Sequence, residues 1–106
     1  MRRPPLQKQI GLLVAHWRTI LGLEAWAIEV RFDEKVHTGT CVAQPQYEEA
    51  IITFNLPRIR KQCRRPEALE DLVCHELVHC VIWKSSERAV TQVTRALLRA
   101  AGRPIT

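Results

Sequence analysis

Two histidines four residues apart, with a glutamate directly after the first, stand at His75-Glu76-Leu77-Val78-His79. On an α-helix, residues four apart lie one turn above each other on one face, so the two imidazoles can reach a single metal ion. Glu76, about 100° further round the helix, reaches the edge of the same site. This is the H-E-x-x-H arrangement of zinc-dependent hydrolases, with two nitrogen ligands for Zn2+ and a carboxylate that can take a proton from metal-bound water. On that chemistry Glu76 is the general base in peptide-bond hydrolysis, and the proton it takes passes later to the leaving amine.

A zinc hydrolase site usually takes three protein ligands and leaves the fourth position to water. Glu87 is the first choice for the third ligand. It opens the next helix after a short turn, so the chain can bring it back toward His79. It also projects near the edge of that helix's inner stripe, where a carboxylate needs a cation to meet it. A first-turn acid that only favours the helix dipole is the plainer alternative. His37, between two strands, is the runner-up, whereas Asp71 and Cys74 are expected to point away from the metal. Tyr47 and Arg88 could help an oxyanion, but no spacing argument supports either.

The motif needs a helix, and the sequence predicts one from about Pro66 to Trp83. Pro66 and Glu67 suit a first turn. Beyond Asp71 nearly every residue outside the motif is apolar on all sides, which is the pattern of a buried helix. Three polar side chains within such a helix need partners, and a metal supplies them.

Upstream, Leu6 to Leu21 reads as a helix with Leu6, Ile10, Leu13, Trp17 and Ile20 inward and Gly22 as its cap. Ala25 to Phe32 alternates as a half-buried strand, and Gly39 to Gln46 reads as a second. Ala50 to Leu56 is the clearest strand by composition and ends at Pro57. It is either a plain core strand or a sheet edge able to take an extended peptide as a further strand, and the residues alone leave both open. Arg58 to Arg65 is a basic connection with room for a helical turn. Ser85 and Ser86 offer caps for a last helix, Glu87 to Ala101, with Val90, Val93, Leu97 and Ala101 inward, Gly102 closing it and Pro104 stopping it. The sum is one α+β domain over residues 1–106: an N-terminal helix, about three strands, the central helix and a C-terminal helix.

Composition narrows the class. The chain has 106 residues, ordinary apolar content and a net charge of +5. No apolar run approaches the roughly 18–20 residues of a membrane span. Met1 to Pro5 carries charge but no apolar segment follows, so a cytoplasmic protein is expected. Cys41, Cys63, Cys74 and Cys80 show no C-x-x-C spacing, so reduced, mostly buried thiols are expected rather than a zinc ribbon. Arg58, Arg60, Lys61, Arg64 and Arg65 could attract nucleic acid or an acidic protein, but no nucleic-acid-binding motif or interleaved aromatic residue accompanies them.

The chain resembles the small zincin metallopeptidases encoded by phages and prophages, a minimal gluzincin-like group, and more distantly SprT-like and ImmA-like proteases. The residues that carry the likeness are Leu21-Gly22-Leu23 with Trp26-Ala27-Ile28, the strand Ala50-Ile51-Ile52, and Glu70-Asp71-Leu72 leading into His75-Glu76-Leu77-Val78-His79. Glu87-Arg88-Ala89-Val90 completes it. The resemblance implies a zincin-like domain, a glutamate ligand on the following helix at Glu87, and a protein or peptide substrate. It also implies that the strand before the active-site helix lies at the cleft edge, so that Ile51, Ile52, Thr53 and Phe54 bind substrate. The alternative expectation is a non-catalytic zinc-stabilised module that binds a protein or nucleic acid through its basic surface.

Overall fold

The computed structural model describes residues 3–103. It is an α+β domain with four α-helices and one mixed three-stranded sheet. In chain order these are α1 (Leu6–Ile20), β1 (Ala27–Phe32), β2 (Gly39–Gln44), β3 (Glu49–Phe54), α2 (Leu56–Gln62), α3 (Pro66–Val81) and α4 (Glu87–Ala100), with a single 3-10 turn at Pro45–Tyr47. No described helix is long and apolar enough to cross a membrane.

Local signals place the helix ends. Gly22 and Gly102 both adopt positive φ, 72° and 73°, and close α1 and α4. In each case the next amide returns to a carbonyl five residues back, Leu23 to Arg18 and Arg103 to Leu98, both at 2.8 Å. This is the glycine-dependent helix stop that the sequence pattern predicts. Pro104 lies outside the described residues. Ser86 caps α4 by accepting from the Ala89 amide at 3.2 Å. The basic connection is largely helical, because Asn55 ends β3 by capping α2 and accepts from the Arg58 amide at 3.2 Å.

Two inward stripes sit differently from the expected ones. On α4 the buried residues are Val90, Thr94 and Leu98, while Val93 and Ala101 are exposed. On α1 they are Ile10, Val14 and Trp17, with Ile20 exposed. The threonine explains the first difference: its hydroxyl is satisfied at 2.7 Å by the Val90 carbonyl one turn back, so it can be buried without a tertiary partner.

The sheet order is β1-β3-β2. β3 runs parallel to β1, with Ile28 opposite Ala50 and Val30 opposite Ile52. It runs antiparallel to β2, with Cys41 opposite Ile52 and Ala43 opposite Ala50. β3 is therefore the middle strand, and the expectation of a cleft-edge strand at Ala50–Leu56 is corrected. Its backbone groups are taken on both sides, and Ile52 and Phe54 are fully buried. Ile51, Ile52, Thr53 and Phe54 cannot receive a peptide by strand addition. The edge strand beside α3 is β2. One core joins the layers, with Trp17, Ile52, Phe54, Leu77, Val78 and Val90 at its centre.

Candidate metal centre

α3 carries its buried residues toward α1, α4 and the sheet, which leaves one strip facing solvent. Asp71, Leu72, His75 and His79 follow each other along that strip at helical spacing and are only partly covered. They form one wall of a cleft of about 590 Å³, and the other wall is the chain from His37 to Cys41. Asp71, expected to point away, lines this cleft. It lies four residues before His75, so it shares that face for the same reason His79 does. Cys74 does point away and is fully buried, where burial and the nearby Asp71 push its thiol up to about 12.

Glu87 closes the cleft from the first turn of α4. Its Oε2 lies 3.0 Å from the His75 Nε2 and its Oε1 lies 2.7 Å from the His79 Nε2. The two imidazoles are edge to face, with centroids 4.9 Å apart. The Glu87 side chain is 73% exposed, so it leans over the site from solvent instead of from the interior as expected. The short turn Ile82–Ser86 and the Ser86 cap put it there.

The donor set fits a small divalent cation. One ligand atom each from His75, His79 and Glu87 gather within 4.8 Å of one another. Two imidazoles and a carboxylate on the cleft side leave an open direction, the composition of a hydrolytic zinc site. A tetrahedral ion with bonds of ~2.0–2.1 Å holds its ligand atoms about 3.3 Å apart, so the Glu87 carboxylate would draw back slightly from the imidazoles and the donors, now spread over up to 4.8 Å, would close round the ion. Nickel, cobalt or iron would meet the same donors.

Glu76 sits beside the donors and differs from them in burial. It is 5% exposed, lines the cleft, and receives from the described residues no hydrogen bond that would hold its charge. Burial first, and the neighbouring Glu87 charge second, push its carboxyl up to about 7. Gly39 makes room for it: a Cβ there would lie 3.1 Å from the Glu76 Oε2 and 3.2 Å from its Cγ.

His37 lines the cleft but does not join the ligand cluster. Its Nε2 lies 3.2 Å from the Arg58 Nη1, and because a guanidinium only donates, that nitrogen must accept. Asn55 fixes the His37 loop by donating from Nδ2 to the Val36 carbonyl at 2.9 Å and to the Glu34 carbonyl at 3.2 Å. Neither Tyr47 nor Arg88 lines the cleft. Sequence reasoning missed Thr38 to Cys41 as cleft wall. The glycine at 39 was the available signal, since a strand glycine often marks close approach of another element.

No protein-family model, no curated protein and no solved structure matches the chain.

Proposed function

We propose that this chain is a zinc-dependent metallopeptidase of the minimal zincin type, acting on flexible or unfolded polypeptide segments. One observation carries the reading: the Nε2 atoms of His75 and His79 and the carboxylate of Glu87 converge beside Glu76, a largely covered carboxylate that opens on the same cleft and takes no donor from the described residues. A structural metal site has no need of such a neighbour, because a carboxylate held largely out of water without a donor costs stability.

When bound, zinc supplies an electrophile for a peptide carbonyl and acidifies water in its open position. The residues do the rest. His75, His79 and Glu87 hold the ion. Glu76, beside these donors on the cleft, is placed to accept a proton and return it to the departing amine. Among the described residues β2 is paired on one side only, to β3, so its outer edge can align an extended peptide along the cleft by backbone hydrogen bonds.

The competing reading is a zinc-stabilised binding module. The side chains of Arg58, Arg60 and Lys61 on α2, with Arg64 and Arg65 after it, are exposed and favour it. Metal analysis of the purified chain, followed by digestion of an unfolded protein such as casein, separates the two. The peptidase reading expects one zinc per chain and cleavage that a chelator abolishes and zinc restores. Zinc without cleavage supports the module, and a chain that binds no zinc overturns both. Replacing Glu87 with Ala should weaken zinc binding by about 10²-fold or more, as loss of one ligand of three, measured by competition with a chromogenic chelator.

A further inference from the structure

Cys41 and Cys80 meet where the edge strand β2 leans on α3. Their sulfurs are 3.2 Å apart, joining positions 39 residues apart in the chain. The meeting follows from matched repeats. Two residues along a strand advance roughly 6.6 Å and four along a helix about 6 Å. Gly39 faces Glu76, and two residues on, Cys41 faces Cys80, four residues after Glu76. Cys41 is half-buried and lines the cleft, while Cys80 is 1% exposed behind it. Neither Cys63, half-buried, nor Cys74, buried, lines the cleft.

We infer that Cys41 and Cys80 form a reversible dithiol–disulfide site that reacts with a low-molecular-weight disulfide entering the cleft and clips β2 to α3. The inference does not rest on the peptidase reading. Cys41, the sulfur on the cleft, attacks one sulfur of the small disulfide as it gives up its proton, forming a mixed disulfide and expelling one thiolate. Cys80 then attacks the Cys41 sulfur, forming the Cys41–Cys80 bond and expelling the second. Two protein thiols are oxidised, one small disulfide is reduced to two thiols, and the two protons go to the leaving thiolates. A disulfide bond is about 2.05 Å long, so the sulfurs need to approach by only ~1 Å, within reach of side-chain rotation.

The test equilibrates the purified chain in mixtures of reduced and oxidised glutathione, traps free thiols by alkylation, and digests without reduction. Cleavage after Glu76 separates Cys74 from Cys80, so mass spectrometry can assign the link. The expected product is a Cys41–Cys80 peptide pair, an intact mass lower by two hydrogens, and full reversal by dithiothreitol. The oxidised chain should melt higher by about 10 °C or more, because the bridge closes a long loop in the unfolded chain. Cys80→Ser should stop at one glutathione on Cys41. No intramolecular link under the most oxidising mixture, or a dominant link through Cys63 or Cys74, overturns the inference. So does an unchanged melting midpoint in the linked form. If Cys80→Ser does not fold, the link assigned in the wild-type chain still decides.

Discussion

α3 buries two glutamates six residues apart, and their surroundings are opposite. Glu70 is 8% exposed and fully engaged: the Trp17 indole donates to its Oε2 at 2.8 Å and the Arg103 Nε donates to its Oε1 at 2.9 Å. Those donors tie α1 and the chain after α4 to the central helix. Glu76 is 5% exposed and has no donor among the described residues, with the Glu87 carboxylate as the charge that acts on it. A buried charge is tolerable only when it is paired or can be neutralised. Glu70 takes the first course, and Glu76 is held near the point of taking a proton. One helix therefore carries a carboxylate that holds the fold together and a carboxylate that no described donor engages.

The sharpest break between the two comes from removing each carboxylate in turn. Glu76→Gln should cut peptide hydrolysis by about 10²–10⁴-fold, the usual worth of a general base, while zinc stoichiometry and melting temperature hold or rise. A change at Glu70 should do the reverse. Glu70→Ala orphans the fully buried Trp17 indole N–H and frees Arg103, and should cost roughly 2–4 kcal/mol in chemical denaturation with zinc binding retained. If Glu70→Ala instead abolished turnover at unchanged stability, the division of roles would be wrong.

Acidity offers a third handle. Between pH 4.5 and about 7 the folded, metal-free chain keeps a proton on Glu76 that the unfolded chain has released. Glu76 therefore contributes stability that is fully present below pH 4.5 and is lost as pH rises through about 7. The loss is worth about 3 kcal/mol, because holding that proton across each pH unit of the window is worth ~1.4 kcal/mol. Denaturation midpoints of wild type and Glu76→Gln against pH, both with chelator, should diverge across that window, the variant lacking this decline. The smallest effect is expected at Gly39. A Cβ there would press on the Glu76 Oε2 at 3.1 Å and the Leu72 Cδ1 at 3.3 Å. Gly39→Ala should lower kcat about tenfold through a displaced carboxylate, with zinc affinity unchanged.

Much of this was legible from local pattern. The H-E-x-x-H spacing put His75 and His79 on one helical face, Ser86 and Gly102 bounded the last helix, and Gly22 closed the first. Glu87 could be chosen because a short turn limits how far the chain can travel after His79. Asp71 was rightly set aside as a ligand, but its spacing from His75 puts it on the cleft face, where it lines the wall outside the His75–His79–Glu87 cluster. The edge strand was beyond local reading. Ala50–Leu56 has the composition of any buried strand, and its apolar run agrees with a middle position as well as with an edge.

Periodicity, caps and breakers act over a few residues, so the amino-acid order alone was enough for three of the four helices, the three strands and their approximate ends, while α2 was legible only as room for a helical turn. It was also enough for the three groups that could bind a metal. Strand order was settled only in the folded chain, because pairing β3 between β1 and β2 depends on contacts that no short window contains. The same holds for the two glutamates. Nothing near Glu70 announces Trp17, 53 positions away, or Arg103, 33 positions away. Nothing near Glu76 announces that it will meet a glycine and no donor, and that environment separates the carboxylate in the cleft from the structural one.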